Sequence, residues 1–208
     1  GLTATPERMD GKDLRPDFEN RISAEIRLPQ ALQAGLLTPF QYLCISDDTD
    51  LSDDSLWSGQ KYNIERLADK LCAKTRARLI VDALHKYLAD EYTCRALCFC
   101  VNKRHADFMA EQLRLYGFNA QSLTSDTPAD ERKQLAKNLR EGTLHYLCVV
   151  DIFNEGVDIP EVDTVLFLRP TESLTIFLQQ LGRGLRLSAG KAELTVLDFV
   201  AQANRKYD

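Results

Sequence analysis

The stretch Leu147-Cys-Val-Val-Asp-Ile-Phe-Asn-Glu-Gly-Val-Asp-Ile-Pro160 indicates the type of fold to expect. It begins with a short continuous apolar run, Leu147–Val150, and continues into a loop that contains Gly156 and Asp158. Continuous apolar runs are typical of strands in a parallel sheet that helices cover on both faces, whereas a half-exposed strand alternates. Because ligands of such sheets bind beyond the carboxyl ends of the strands, this loop is a candidate binding site.

Short apolar runs and amphipathic segments alternate along most of the chain, which predicts an α/β fold with a mostly parallel sheet. The predicted strands are Phe40–Ile45, Leu97–Val101, Asn119–Thr124, Leu147–Val150, Thr164–Leu168 and Leu194–Phe199. The predicted helices are Ile22–Leu36 (interrupted at Pro29), two helices within Ile64–Leu88, His105–Leu115, Pro128–Arg140 and Leu174–Leu187.

Two of these helices carry further local signals. In His105–Leu115, the helical spacing of the apolar residues predicts one buried face, made of Ala106, Met109, Ala110 and Leu113. At the start of Pro128–Arg140, we expect Thr127 to be the N-cap and Asp130 to lie near the positive end of the helix.

The composition favours a globular, cytoplasmic protein. The 208 residues are 44% hydrophobic and 27% charged, which suits one sizeable core and argues against wholesale disorder. The net charge of −5 argues against a uniformly basic nucleic-acid-binding domain, but not against a protein whose basic surface is confined to one face. Neither a signal peptide nor an apolar stretch of membrane length occurs, so we expect no membrane partner.

Cysteines and acidic residues give no strong indication of a metal site. The six cysteines contain no CxxC pair, which favours buried reduced thiols over a disulfide scaffold or a zinc site. Five carboxylates are predicted to form a solvated acidic loop, since they lack EF-hand spacing: Asp47, Asp48, Asp50, Asp53 and Asp54. No metal ligands are therefore expected.

The helix Leu174–Leu187 is predicted to present cations on one stripe. Its apolar side comprises Leu174, Phe177, Leu178, Leu181 and Leu185, and the opposite side carries Gln179, Arg183 and Arg186 at i, i+4 and i+7. Gly182 and Gly184 cost about 1 kcal/mol each in helix propensity, which suggests that they make room for a close partner. Planar guanidinium groups on such a stripe suit a phosphate ligand, although an ordinary solvated face is the alternative.

These segments together resemble the C-terminal RecA-like domain of superfamily 2 helicases of the DEAD/DEAH type, in the bacterial branch of excision-repair helicases and restriction-enzyme motor subunits. Gln179–Arg186 resembles motif VI (QxxGRxxR), Asp151–Pro160 resembles motif V, and Gly1–Arg8 resembles motif III. Leu97–Val101 with the following residues 102–105 lies where motif IV lies, and Asp126–Arg132 is similar to a further family segment. The order and separation of the motifs match the family over nearly the whole chain.

The resemblance implies a set of roles for the residues of these motifs. Arg183 and Arg186 would reach the γ-phosphate of ATP, with Gln179 nearby. Gly156 and Asp158 would contact the nucleotide, Asp158 through the ribose, although a tight turn capped by Asp158 is equally compatible with the residues alone. Further roles concern coupling and the nucleic-acid track: Thr3 and Thr5 would couple ATP to domain closure, and Asn102 and Lys103 would lie near the nucleic-acid backbone. For Lys103 taken alone, the residues favour a plain surface lysine.

Other features depart from the family or are missing. Val150 stands where many relatives have Thr, which puts one phosphate contact in doubt, and Ser125 stands where many have Gly. Gly190-Lys191 is followed by Ala192 and is not part of a GxxxxGK[ST] loop. We therefore expect the phosphate-binding loop and the Mg²⁺ carboxylate to precede Gly1, in an N-terminal RecA-like domain, and we expect these 208 residues to be inactive as an ATPase by themselves.

The resemblance predicts a domain boundary and a substrate class. Residues 1–38 would comprise the end of the first motor domain with a linker and a helix, and residues 39–208 the second RecA-like domain. The expected function is ATP-dependent, Mg²⁺-supported movement on nucleic acid, with DNA the expected partner. A non-catalytic RecA-like adaptor is the alternative, and the absence of GxGxxG argues against a dehydrogenase-like enzyme.

Overall fold

The computed structural model describes residues 19, 24–59, 61–150, 159–171 and 173–202. The strands are β1 Phe40–Asp50, β2 Trp57–Ser58, β3 Lys61–Tyr62, β4 Ala96–Phe99, β5 Ala120–Leu123, β6 Tyr146–Val149, β7 Thr164–Phe167 and β8 Leu194–Gln202. The helices are α1 Leu28–Gln33, α2 Ile64–Leu71, α3 Lys74–Tyr87, α4 Lys103–Leu115, α5 Ala129–Glu141 and α6 Leu174–Gly184.

Six of the described strands form one parallel sheet in the order β1-β8-β7-β4-β6-β5. The central strands β4, β6 and β7 are buried along their whole length, as their continuous apolar runs predicted. β2 and β3 form a separate antiparallel pair between β1 and α2. The predicted α/β class with a mostly parallel sheet is confirmed.

Helices cover both faces of this sheet, and each face has its own hydrophobic cluster. On one face, α3 and α4 pack against alternate residues of the strands, and the predicted α4 residues Ala106, Met109, Ala110 and Leu113 are all buried. On the other face, α5 packs through Leu135 and Leu139, and α6 packs through Leu181 and its C-cap Leu185. A third, smaller cluster joins the β2–β3 pair and α2 to Val101, just beyond the end of β4.

The predicted acidic loop is wrong for its first three residues, because β1 extends to Asp50. Asp47 lies in the core, where its Oδ2 is 2.6 Å from Nε of Arg76 on α3 and both side chains are 2% exposed. Burial alone would raise the pKa of Asp47, but the charge of Arg76 and hydrogen bonds from Thr49 lower it below its usual value. A charge from a distant helix thus allows the strand to continue through an acidic sequence.

The structure also corrects predictions about helix starts. α1 begins at Leu28, so Pro29 lies in its first turn instead of interrupting a longer helix. The N-cap of α5 is Pro128 and not Thr127, because the Thr127 hydroxyl accepts a hydrogen bond from the backbone N–H of Thr124, at 3.0 Å. Asp130 lies in the first turn of α5, as predicted.

Four of the six cysteines are buried, as expected: Cys94, Cys98, Cys100 and Cys148. None of the six thiols, all within the described residues, forms a disulfide. The expectation of burial is wrong for Cys44, which is exposed on the edge strand β1, and for Cys72, which is half-buried. Among the described residues, none of the helices has the length and apolar character that a membrane span requires.

Candidate functional site

Helix α6 is anchored by its apolar side over β7 and β8. Leu181 and Leu185 are buried in the cluster on that face of the sheet, and the ring of Phe177 packs 5.0 Å from that of Phe167 on β7. Leu174 does not belong to this buried side, contrary to the prediction, because the first turn of α6 lies beyond the cluster and leaves this side chain 72% exposed.

The cationic side chains lie at the other end of α6. Gln179 and Arg183 are half-buried within the helix, and Arg186 is exposed. The helix was predicted to continue to Leu187 but ends at Gly184, so Arg186 lies outside it and its position does not follow from helical spacing. Arg183 and Arg186 nevertheless both lie at the C-terminal end of α6.

Two residues that were not among the predicted site residues, Thr38 and Lys191, hold the backbone at this end of the helix. Thr38 donates from its backbone N–H to the carbonyl of Leu185 and from its hydroxyl to the carbonyl of Arg186, both at 2.8 Å. The ammonium of Lys191 donates to the carbonyls of Gly184, at 2.5 Å, and Arg186, at 3.0 Å. We call these four bonds the α6 end contacts.

Lys191 also donates to the carbonyl of Pro160, at 3.2 Å, so one ammonium serves three backbone oxygens. Burial lowers the pKa of Lys191 to about 8, although Asp163 and Glu161 act in the opposite direction. A cation just past the end of a helix is a known favourable arrangement, because it faces the negative end of the helix dipole. That local signal could have identified Lys191 from the sequence; nothing local identifies Thr38.

The two glycines of α6 have different roles. Among the described residues, no heavy atom outside the neighbouring turns of α6 lies within 4 Å of where a Cβ on Gly182 would be, so these residues leave space beside Arg183. A Cβ on Gly184 would lie 2.6 Å from Cδ1 of the buried Leu194, so Gly184 is required by the protein's own core. The prediction that both glycines make room for a partner is therefore wrong for Gly184.

Two further predicted residues lie at the start of α4, beyond the carboxyl end of β4. Asn102 is the N-cap of α4: its Oδ1 accepts from the backbone N–H of His105, at 3.0 Å, and its Nδ2 donates to Glu65, at 3.1 Å. Lys103 forms an exposed ion pair with Asp126, whose hydrogen bond raises the pKa of Lys103. Both residues thus lie beyond the carboxyl end of β4, and each contacts another side chain of this chain: Glu65 for Asn102 and Asp126 for Lys103.

The remaining predicted residues, Thr3, Thr5, Gly156 and Asp158, lie outside the described residues. The segment that contains Gly156 and Asp158 follows the carboxyl end of β6, which is an interior strand of the sheet. In the part of the chain that the structure describes, no group of three or more His, Cys, Asp or Glu side chains is placed to hold a metal ion.

Comparison with known protein families points to helicases. Residues 49–188 match the model of the helicase conserved C-terminal domain. A 51.5 kDa protein of a Lactococcus phage is 28% identical over 94% of this chain and 42% of its own length. The putative ATP-dependent helicase IRC3 of Saccharomyces cerevisiae is 27% identical over 98% of this chain and 29% of its own length. The chain therefore spans less than half the length of these relatives.

Solved structures show the same fold. The Escherichia coli DEAD-box protein SrmB is similar with a TM-score of 0.53, at 22% identity, over 78% of both chains. S. cerevisiae Dbp5, solved with Gle1, is similar with a TM-score of 0.57, at 16% identity, over 93% of this chain and 41% of its own. At these identities the likeness establishes the RecA-like architecture.

Proposed function

Because this chain belongs to the helicase conserved C-terminal domain family of superfamily 2, we propose that it is the second motor domain of an ATP-dependent helicase or translocase. The observation that carries the proposal is the end of α6, where Arg183 and the exposed Arg186 follow Gly182, whose Cβ position no described side chain beyond its neighbours fills, and where the α6 end contacts hold the backbone. Two guanidinium groups at such a helix end suit a triphosphate that a second domain holds.

In this proposal, ATP and Mg²⁺ are held mainly by an N-terminal RecA-like domain, and closure of the two domains brings Arg183 and Arg186 onto the γ-phosphate. Their charge stabilises the transition state of phosphoryl transfer. Gln179 lies beside the phosphates, and Gly156 and Asp158 contact the nucleotide, Asp158 through its ribose.

Thr3 and Thr5 couple the nucleotide state to closure, with residues 1–38 joining the first motor domain to the second, residues 39–208. Asn102 and Lys103 line part of the nucleic-acid track, and DNA is the proposed substrate. Binding through backbone phosphates is independent of sequence and sensitive to salt. The proposed setting is the cytoplasm.

The decisive experiment measures ATP hydrolysis by the longer protein with single-stranded DNA, duplex DNA or RNA. Arg186→Ala and Arg183→Ala should each lower kcat by roughly 10³-fold, the loss expected when an arginine finger is removed. KM should change much less. Arg78→Ala, on α3 at the opposite face of the sheet and 74% exposed, is the matched control and should retain the wild-type rate. Wild-type turnover by Arg186→Ala would refute the proposed role.

The same assay tests the isolated chain. The 208 residues should bind ATP weakly and show no nucleic-acid-stimulated hydrolysis, because the phosphate-binding loop is expected elsewhere. Turnover by the isolated chain that Arg186→Ala abolishes would contradict this expectation. If the longer protein binds nucleic acid but shows no ATP hydrolysis under any condition, the hypothesis of a non-catalytic adaptor would replace that of a motor domain.

A further inference from the structure

The last carbonyls of α6 are satisfied by residues far away in the sequence. A helix leaves its final backbone oxygens without partners inside the helix, and a glycine in the left-handed conformation is a common local solution. α5 ends in that way, at Gly142 with φ 74°. α6 instead has Thr38 on the carbonyls of Leu185 and Arg186, and Lys191 on those of Gly184 and Arg186.

These bonds fix the backbone from which the Arg186 side chain extends. Arg186 lies outside the regular helix, so helical hydrogen bonding does not determine its position. Its carbonyl oxygen accepts from both the Thr38 hydroxyl and the Lys191 ammonium, while the residue as a whole is exposed. The arrangement thus combines a hydrogen-bonded backbone with an exposed residue.

Thr38 itself is buried next to the start of the sheet. It is 1% exposed, and the carbonyl of the next residue, Pro39, accepts a hydrogen bond from the backbone N–H of Leu194, at 2.9 Å, at the start of β8. Phe40, which follows, begins β1 and pairs with Leu194 in the sheet. The segment that enters the sheet at β1 therefore contacts the end of α6 directly, through the hydrogen bonds of Thr38.

We propose that Thr38 and Lys191 are positioning residues for Arg186, which hold the carbonyls of residues 184–186 so that its guanidinium meets the γ-phosphate when the motor domains close. This inference rests on the proposed function. Neither residue contacts nucleotide; both act through the backbone of α6. Positioning of this kind has measurable consequences, because a misplacement of about 1 Å can reduce a rate by about 10²-fold.

Thr38→Val is the sharpest test, because it removes the hydroxyl but keeps the branched shape and the backbone N–H. In the longer protein, we expect a fall of about 10-fold in kcat for ATP hydrolysis with KM changed less than about two-fold. Thr38→Ser, which retains the hydroxyl, should restore most of the rate. Lys191→Met should act in the same direction, and Lys191→Arg should recover part of the loss.

Thr143→Val is a matched control, since the Thr143 hydroxyl also donates to a carbonyl at the end of a helix, that of Asn138 on α5, at 3.2 Å. It should leave kcat unchanged. Thermal unfolding of every variant checks that the fold is retained. Should Lys191→Met not fold, Thr38→Val and its serine rescue decide the proposal without it.

A double-mutant cycle separates positioning from general stability. In an Arg186→Ala background, Thr38→Val should lower the residual rate by less than about two-fold, because the side chain that it positions is already absent. Equal losses in both backgrounds, or a wild-type kcat for Thr38→Val, would overturn the positioning role alone. A wild-type rate for Arg186→Ala would overturn the proposed function and this inference together.

Discussion

Gly184 on α6 lies directly against the side chain of Leu194 on β8. A Cβ at position 184 would be 2.6 Å and 2.7 Å from the two δ-methyl carbons, and Leu194 is fully buried, so it has little room to move away. Gly182, two residues earlier, would place a Cβ more than 4 Å from the side chains of all the described residues beyond its chain neighbours. The two glycines of the same helix therefore provide a matched pair of substitutions.

Gly184→Ala should destabilise the chain by about 1–3 kcal/mol, because overpacking a full core forces neighbouring side chains out of their preferred conformations. Gly182→Ala should instead stabilise it by up to about 1 kcal/mol, through helix propensity. Urea unfolding of both variants measures the difference. If a partner domain closes over Gly182, Gly182→Ala will also lower ATP hydrolysis in the longer protein despite its greater stability.

The buried Asp47–Arg76 pair should be costly to break on one side only. Arg76→Met leaves a buried carboxylate without its cation, and the expected loss of stability is about 3–5 kcal/mol. The double variant Asp47→Leu with Arg76→Met should recover most of that loss. The exposed Arg78–Asp82 pair is the control, since its removal should change stability by less than about 1 kcal/mol. Additive losses at positions 47 and 76 would contradict the pairing.

His105 should make the fold sensitive to acid. Burial, with the charges of Arg76 and Arg104, lowers the pKa of His105 to about 3, against roughly 6.5 in an unfolded chain. Between these values the unfolded chain binds a proton that the folded chain does not. This residue's contribution therefore removes stability as pH falls, by up to about 1.4 kcal/mol per pH unit.

Urea unfolding at pH 7, 6 and 5 measures this effect. The slope of stability against pH should be shallower for His105→Gln than for the wild type. His145→Gln, at a partly exposed site, removes a histidine but keeps the buried one, and serves as the control. Parallel slopes for the wild type and His105→Gln would show that His105 is not the responsible group.

Lys103 should contribute to nucleic-acid binding, and its ion pair with Asp126 should compete with that binding. If Lys103 meets a backbone phosphate, Lys103→Ala will weaken binding to all sequences alike and will reduce the slope of log affinity against log salt by about 1. Asp126→Asn should strengthen binding, because it releases Lys103 from its ion pair. Lys133→Ala, at an 82% exposed side chain on α5, is the control. An unchanged salt slope for Lys103→Ala would place Lys103 outside the track.

Much of the fold could be predicted because its signals are local. The apolar runs that became β4, β6 and β7 and the helical spacing that buried one face of α4 depend on neighbouring residues alone. Element ends were less predictable. β1 continues through Asp47 because Arg76, 29 residues away, neutralises it, and no local pattern contains that information.

For the candidate site, the sequence by itself determined which side chains we propose for the chemistry. Arg183, Arg186 and Gln179, in an ordered set of helicase-like motifs, follow from residue type and spacing. The tertiary structure decided where α6 ends and what holds that end. Thr38 lies 148 residues from Arg186 in the sequence. Leu194, which leaves no room for a Cβ at Gly184 of α6, is on strand β8. Contacts between residues so far apart arise only when the chain has closed its sheet, because hydrogen bonds and packing depend on distance in space.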